Sequence, residues 1–175
     1  MLAAILAPAQ ASAQAVQATA DTQATLLTDG AFAKLADIDF GTIVQPTVAG
    51  TLVLSPQAAA TCTPSATLIH TGNCRAAAFV VKGLKSQHVR IQDAGDTGIV
   101  TLTGPGGATM TMNTMTVSAS GMTANGNGQG WRFGNWKITD PSGNGYFWIG
   151  GTLQVAALQA PGVYNGTLVM EIQFN

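Results

Sequence analysis

Short apolar segments with a repeat of two residues follow one another along most of this chain, and Gly, Pro or Asn bounds many of them. Such alternation is typical of β-strands with one buried face, and no convincing helical repeat interrupts the series after residue 30. The pattern predicts a mobile loop at 121–130 and strands at 35–41, 51–55, 76–82, 88–92, 98–103, 110–117, 131–138, 146–155 and 166–174. The predicted fold class is all-β, a β-sandwich forming one domain at 28–175.

The scarcity of charge excludes several classes of function. Charged residues make up 9% of the 175 residues, and the net charge is -1. A protein that binds nucleic acid by neutralising phosphates needs a basic surface, which this composition does not supply. A disordered chain combines low hydrophobicity with high charge, whereas 46% of these residues are hydrophobic. The uncharged polar composition favours an exported protein.

The first fifteen residues have features of a secretory signal peptide. An apolar run at 2–7 precedes two overlapping tripeptides at 11–15 with the small-x-small form that signal peptidase cleaves. We expect residues 1–15 to be the remnant of a signal that starts upstream of Met1, and a disordered Ala- and Gln-rich tail is the alternative. No later segment has the roughly 18 consecutive apolar residues of a transmembrane helix.

Cys62 and Cys74 are the two cysteines of the chain. An even pair in an exported chain predicts one disulfide bond and an oxidising compartment. A zinc site is the alternative, but two cysteines provide too few ligands, and His70 is the one nearby nitrogen ligand. We therefore expect a disulfide at this position and no metal.

The alternation is clearest at the C terminus. Four large apolar side chains occupy every second position of the last segment: Leu168, Met170, Ile172 and Phe174. This spacing places them on one sheet face, towards a core. Because many sandwiches continue with a further strand, we expect this last core strand to lie beside an unfilled position.

The segment that follows the cleavage sites has a matching alternation of smaller side chains. Its small or apolar positions are Val16, Ala18, Ala20, Thr22, Ala24 and Leu26. Extended, residues 16–26 would span about 36 Å, and one polar face would remain for water. Such a strand is suited to insertion into a groove. The alternatives are a strand of its own domain, a disordered tail, and an amphipathic helix, since Ala and Gln favour helix.

The C-terminal segment 162–175 resembles the β-zipper motif of chaperone–usher pilins. That motif has a glycine near its start, alternating apolar residues and a penultimate aromatic. In this chain the glycine would be Gly162, with Tyr164 after it, the alternating residues would be Leu168, Met170 and Ile172, and the aromatic would be Phe174. The segments 35–41 and 150–155 are similar to a proteobacterial surface-protein family related to fimbrial major subunits. Two features depart from the pattern: a penultimate Phe in place of the commoner Tyr, and a Trp-rich hairpin at 130–148 that looks like an insertion.

The resemblance implies an incomplete immunoglobulin-like β-sandwich that is completed by donor-strand exchange. In the family, a periplasmic chaperone lends the missing strand, and the N-terminal extension of the next subunit then replaces it. Carried over to this chain, residues 16–27 would be the donor-strand extension, and the residues from Gly162 to Phe174 would line the acceptor groove. The implied function is that of a structural subunit of a pilus or fimbria. The subunit would pass through the periplasm and an outer-membrane usher. It would polymerise head to tail with identical subunits at the cell surface, and it could bind a host or surface ligand.

No constellation of catalytic residues stands out. His70 and His88 lie in different segments, and the chain has neither a Gly-x-Ser-x-Gly elbow nor a phosphate-binding loop. Asp37 and Asp39 share one face of a predicted strand and could bind calcium, but two carboxylates without further oxygen ligands are typical of a solvated face. We therefore expect no enzymatic activity, no cofactor and no metal.

Five aromatic residues cluster around the predicted hairpin: Trp131, Phe133, Trp136, Tyr146 and Trp148. They could stack sugars, which gives the alternative function of a self-complete β-sandwich adhesin or carbohydrate-binding module using residues 130–148. Packing in the core or at a subunit interface is favoured, because two pairs of them are spaced two residues apart within predicted strands.

Overall fold

The computed structural model describes three stretches of the chain: residues 30–95, 97–126 and 132–175. Within these stretches the side chains of Arg132 and Phe133 are not described. The predicted signal remnant 1–15 and donor-strand extension 16–27 lie outside the described residues, as does Trp131. In the described stretches, no helix has the length and apolar character needed to cross a membrane.

Thirteen β-strands and one short 3₁₀ turn form the regular structure of the described residues, which confirms the all-β prediction. The strands are β1 (Ala31–Ala36), β2 (Thr42–Ile43), β3 (Gly50–Leu54), β4 (Cys62–Pro64), β5 (His70–Thr71), β6 (Ala77–Lys82), β7 (His88–Asp93), β8 (Val100–Thr103), β9 (Thr109–Ser120), β10 (Met122–Ala124), β11 (Arg132–Ile138), β12 (Asn144–Val155) and β13 (Met170–Phe174). The 3₁₀ turn Pro105–Gly107 joins β8 to β9.

In the described residues, the larger sheet has seven strands and is organised around β12. β6 pairs with the first half of β12 and β3 with the second half, while β9 pairs along most of its other edge. β1, β4 and β8 extend the sheet from β6, β3 and β9, and all of these pairs are antiparallel. The side chains of Phe147, Ile149 and Leu153 point from β12 into the interior, where they are at most 2% exposed.

The part of the smaller sheet that the structure describes has four strands, in the order β10-β11-β7-β13. Val89 and Ile91 of β7 are fully buried and face the larger sheet. β13 pairs with β7 and forms one edge of this sheet. A separate two-stranded ladder of β2 and β5 stands beside the two main sheets.

The two main sheets pack face to face as a β-sandwich around one core. On the larger sheet, three rings from neighbouring strands stack with centroid separations of 5.1 to 6.0 Å: Phe32, Phe79 and Phe147. Aromatic side chains bury large apolar areas, so this stack contributes strongly to the stability of the sandwich. The core-facing side chains of β12 and β7 are buried, whereas those of β13 are only half-buried.

The predicted strand 35–41 is wrong in its bounds. β1 ends at Ala36, and the chain continues as an extended segment with a single β-bridge at Asp39. A register shift between Lys34 and Ala36 disrupts the ladder with β6, and the pair of Ala36 with Ala78 is its last. The side chains of the extended segment still alternate, because Ile38 and Phe40 are half-buried and their neighbours are exposed.

The predicted hairpin 130–148 is also wrong. β11 pairs with β7 and β10, whereas β12 belongs to the other sheet, so the chain crosses the sandwich between them. The Asp140 carboxylate shapes this crossing, accepting hydrogen bonds from the amides of Ser142 at 2.9 Å and Asn144 at 3.2 Å. The predicted loop 121–130 is wrong at its start, because β10 pairs with β11.

Candidate binding groove

A groove of about 940 Å³ opens along one side of the sandwich. One wall is the segment 162–168 before β13, and the other is the segment 36–43 after β1. The floor consists of apolar side chains from β6, β8, β9 and β12: Ala77, Phe79, Val100, Leu102, Met110, Met112 and Leu153. Most of these belong to the core or pack against it, so the groove leads into the space between the two sheets.

Close backbone contacts hold the wall 162–168 against β8. Thr103 and Asn165 exchange two hydrogen bonds, with N–O distances of 2.8 and 3.0 Å. A Cβ atom on Gly166 would lie 2.7 Å from a carbonyl oxygen of β8, and a side chain on Gly162, whose φ is 144°, would collide with the turn that follows β8. Only glycine permits these approaches, which gives the glycines of the C-terminal motif a structural role.

Tyr164 fixes the middle of the same wall. Its hydroxyl donates a hydrogen bond to the carbonyl oxygen of Ala160 at 2.7 Å and accepts one from Nε2 of Gln159 at 2.8 Å. Gln159 is buried, and its side-chain amide also donates to the carbonyl oxygen of Thr109. The ring of Tyr164 covers Gly104, where a Cβ atom would be 2.5 Å from it. The wall is therefore a fixed part of the fold.

β13 has a neighbour on only one of its edges in the described part of the chain. Its hydrogen bonds to the β7 side continue at Val169 and Asn175. Because hydrogen-bonded residues alternate in an antiparallel ladder, the odd-numbered residues of β13 face β7. The backbone N–H and C=O groups of Met170, Ile172 and Phe174 therefore face the open edge, while their side chains lie half-buried against the core.

The strand prediction for the C terminus is confirmed from Met170 onward. The strand begins later than predicted because residues 162–168 follow β8 of the larger sheet before the chain joins β7. Leu168 nonetheless lies half-buried against the core, on the face that the alternation predicts.

The opposite wall is anchored to a disulfide bond. Cys62 and Cys74 form the predicted disulfide, with their Cα atoms 5.9 Å apart. The carbonyl oxygen of Phe40 lies 4.0 and 3.8 Å from the two sulfurs and accepts a hydrogen bond from Nε2 of His70 at 2.9 Å. Gly41 follows with φ 68°, where a Cβ atom would be 2.8 Å from that nitrogen. The disulfide and the imidazole thus fix the chain at Phe40, which lines the groove.

The same side chains are the one group of potential metal ligands in the described stretches. The ligand atoms of Cys62, His70 and Cys74 lie within 4.8 Å of one another. Cysteine binds zinc as a thiolate, and here both sulfurs are engaged in the disulfide bond. The arrangement is that of a disulfide packed against an imidazole.

Few charges border the groove. Its charged lining residues are Lys34, Asp37 and Asp39. Lys34 forms an exposed ion pair with Asp37, with Nζ and Oδ1 2.6 Å apart, and Asp39 accepts a hydrogen bond from the amide of Gly41. These contacts are local and solvated. The groove is lined mostly by apolar side chains, and β13, which follows the wall 162–168, has unpaired backbone groups along its open edge in the described part of the chain.

A protein-family model described as "Domain of unknown function (DUF4402)" matches residues 30–174. The chain belongs to the DUF4402 family. The matched region contains both walls and the floor of the groove. No significant match was found among curated proteins or among solved structures.

The described aromatic residues among those that the sequence singled out in this DUF4402 domain do not share one surface. Trp136 packs against the core from β11. Tyr146 and Trp148 lie on the outer face of β12, because the side chain between them is buried, and Tyr146 is exposed while Trp148 is half-buried. Trp131 and the side chain of Phe133 lie outside the described part of the structure.

Sequence reasoning missed most of the groove of this DUF4402 domain. Leu102 and Met110 were expected in strands, and nothing local signals that they form a groove floor. Gly104 belongs to a Gly-Pro-Gly-Gly run that predicts a turn, but its contact with Tyr164 depends on a distant segment. The donor positions between 16 and 26 lie outside the described residues, so their role stays a prediction.

Proposed function

We propose that this protein is a structural subunit of an extracellular filament, a pilus or fimbria, whose sandwich accepts its last strand from another copy. The observation that carries the proposal is the open edge of β13 beside an apolar groove. Exposed strand edges and uncovered core are aggregation hazards that soluble domains usually cover. The occupant we propose is the alternating segment 16–26, bound by β-strand addition.

The strand pairing favours an immunoglobulin-like topology with one position empty. In that fold the two sheets have the orders A-B-E-D and C-F-G. Assigning β1, β6, β12 and β9 to A, B, E and D reproduces the first order, and assigning β7 and β13 to C and F reproduces part of the second. The position of strand G is then the open edge of β13.

Tyr164 adds support for this topology. Immunoglobulin-like domains often have a tyrosine near the start of strand F whose hydroxyl binds backbone a few residues upstream. Tyr164 precedes β13 and donates to the carbonyl oxygen of Ala160, four residues earlier. The connection from β12 to β13 therefore resembles the corner between strands E and F.

The groove and the proposed donor strand are complementary. The donor has small or apolar side chains at alternate positions and a single charged residue, Asp21, and the floor of the groove has no charged side chain. Its backbone would pair with the free N–H and C=O groups of Met170, Ile172 and Phe174. Its length of about 36 Å is enough to continue along the wall 162–168.

The beginning of β1 lies near the Phe174 end of β13. The amide of Gly30 donates a hydrogen bond to the carbonyl oxygen of Lys82 at 2.7 Å. The next residue, Gly83, is close to the C terminus, because a Cβ atom there would be 3.5 Å from the Phe174 ring. A donor segment of the same chain precedes β1 and would therefore connect to the sandwich at this end.

The short connection to β1 requires an antiparallel donor strand to come from another copy. Strand G of a complete sandwich runs antiparallel to strand F, which would place Leu26 near Leu153, at the far end of the groove. Leu153 is nine residues along β12 from Asn144, the partner of Lys82, a distance of about 30 Å. The four residue steps from Leu26 to Gly30 span at most about 14 Å. Completion within one chain is excluded for this orientation, and head-to-tail exchange builds a filament.

The proposal includes the route of export. The disulfide is typical of an oxidising compartment such as the periplasm. Because the groove and open edge are aggregation hazards, a periplasmic chaperone would cover them until an outer-membrane usher joins the subunits. Identical subunits are the final partners, at the cell surface.

Multimerisation of the purified chain tests the proposal. Protein that carries residues 16–26 should form multimers that resist SDS without boiling, and deletion of this segment should abolish them. Leu168→Asp, which places a charge in the groove, should also abolish them, whereas Val169→Asp, at an exposed neighbour, should not. Only monomers from the complete chain, or normal multimers from Leu168→Asp, would contradict the proposal.

A further inference from the structure

Exposed apolar side chains are concentrated at one end of the sandwich. Five large ones there are between 50% and 75% exposed: Val44, Val48, Ile69, Leu158 and Val163. Hydrogen bonds join the segments that carry these side chains. The amide of Leu158 donates to the carbonyl oxygen of Pro46 at 2.7 Å, and the amide of Val44 donates to the carbonyl oxygen of Ile69 at 3.0 Å. We call this surface, formed by residues 44–50, 65–69 and 156–163, the far pole.

The far pole lies at the end of the molecule opposite to Gly30. Gly50 pairs with Val155, the last residue of β12, whereas Gly30 and Lys82 lie beside the first residue of β12. We call the end that contains Gly30 and the turns 82–87 and 139–144 the near pole.

The two poles differ in charge. None of the three far-pole segments contains Lys, Arg, Asp or Glu. The near pole contains Lys82, Lys85 and Asp140, and one strongly exposed large apolar residue, Leu84. Clustered apolar side chains at an end without charge are characteristic of a surface that another molecule covers.

We propose that the far pole binds the near pole of a second copy of this chain, in a contact additional to the donor strand. The inference rests on the proposed function. An antiparallel donor strand leaves the groove at the far pole, and at most about 14 Å of chain then separates Leu26 from Gly30 of the donating copy. The near pole of that copy, with Leu84, must therefore lie against the far pole of the acceptor. Val163 makes the far pole continuous with the groove wall.

Charge variants of the full chain test this contact. Val48→Asp together with Leu158→Asp alters the far pole, and Leu84→Asp alters the near pole. Leu35→Asp is the matched control, because Leu35 is 56% exposed on β1 between the poles. Leu158 has φ 53°, a conformation that aspartate tolerates better than leucine. None of these four residues lines the groove.

Two measurements separate the pole contact from the groove. A fluorescent peptide of residues 16–27 should bind each freshly refolded variant within about twofold of the parent, because surface changes leave the groove intact. Multimer growth, followed by light scattering, should slow about tenfold or more in both pole variants and remain parental in Leu35→Asp. An equal mixture of the two pole variants should form dimers at the parental rate and extend them only at the slowed rate, because only one of its possible contacts joins two unaltered surfaces.

Parental growth in both pole variants with peptide binding intact would overturn the pole contact and leave the proposed function standing. Equal slowing by Leu35→Asp would also overturn it, because the effect would not be specific to the poles. If the parent chain neither bound the peptide nor grew, the proposed function would fail, and the pole contact with it.

Discussion

β12 and β13 have similar sequence patterns and different surroundings. Both place large apolar side chains at every second position, facing the core. β12 has neighbours on both edges, and its Phe147 and Ile149 are fully buried. Among the described residues, β13 has a neighbour on one edge only, and its Ile172 and Phe174 are half-buried. Alternation therefore specifies which face of a strand is apolar, but not how many strands will cover it.

The difference has an energetic consequence. Each square ångström of apolar surface left in water forgoes about 25 cal/mol of stabilisation. The half-buried side chains of β13 and the groove floor can therefore still gain stabilisation when a further strand covers them. The core-facing side chains of β12 are already buried and cannot. A strand added beside β13 would cover this surface and pair the free backbone groups.

Two phenylalanine truncations should break the comparison most strongly. Phe147→Ala removes a fully buried ring from the aromatic stack and should lower the free energy of unfolding by about 3–5 kcal/mol. In the absence of a bound donor strand, Phe174→Ala should lower the free energy of unfolding by about half as much or less, because its ring is only half-buried. Denaturant unfolding of the chain without residues 16–26 measures both values. Equal losses would show that β13 is as well packed as β12.

Removal of the disulfide is expected to have the next largest effect. Replacing Cys62 and Cys74 with alanine opens a loop with a sequence separation of 12 and should lower stability by about 3 kcal/mol. Because the wall at Phe40 contacts this disulfide, the affinity for a peptide of residues 16–26 should fall as well. Unfolding and peptide titration give the two readouts. Lower stability with unchanged affinity would separate the disulfide from the groove wall.

A smaller effect is expected where the wall 162–168 meets β8. Gly104→Ala introduces a methyl group 2.5 Å from the ring of Tyr164 and should destabilise by about 1–3 kcal/mol. Gly95→Ala is the control, since its Cβ would have ordinary contacts from 3.5 Å outward and should change stability by less than about 0.5 kcal/mol. Thermal unfolding compares the two variants, and similar melting temperatures would count against a closely packed wall.

Tyr164→Phe should have the smallest effect of the series. It removes a hydroxyl that is bonded to Ala160 and Gln159 at 2.7 and 2.8 Å, and should cost about 1 kcal/mol. The measurement is the shift in denaturant midpoint relative to the parent. An unchanged midpoint would mean that the packing of the ring, and not its hydroxyl, holds the wall.

Local patterns predicted the parts of the fold that depend on neighbouring residues. The segments 76–82 and 88–92 correspond closely to β6 and β7, because alternation and flanking turn residues are read within a few positions. The disulfide was predictable because the chain offers one pair of cysteines. The apolar face of the last strand was predictable for the same local reason.

Long-range relations could not be read from the sequence. The turn at Asp140 is marked by its residues, but nothing local indicates that it joins strands of different sheets, and the predicted hairpin failed there. The groove floor forms because β8 and β9 lie beneath two wall segments that are far apart in the sequence. The local sequence around Leu102 and Met110 therefore does not indicate that they line a groove. Strand partners depend on tertiary packing, which alternation does not specify.

Amide hydrogen exchange along β13 tests most directly whether its open edge receives residues 16–26. Without this segment, the amides of Met170, Ile172 and Phe174 should exchange readily, whereas those of Glu171 and Gln173, which face β7, should be protected. Adding the 16–26 peptide should protect the three even-numbered amides by about a hundredfold and leave the other two nearly unchanged. Unchanged exchange at Met170, Ile172 and Phe174 with the peptide in excess would contradict the account.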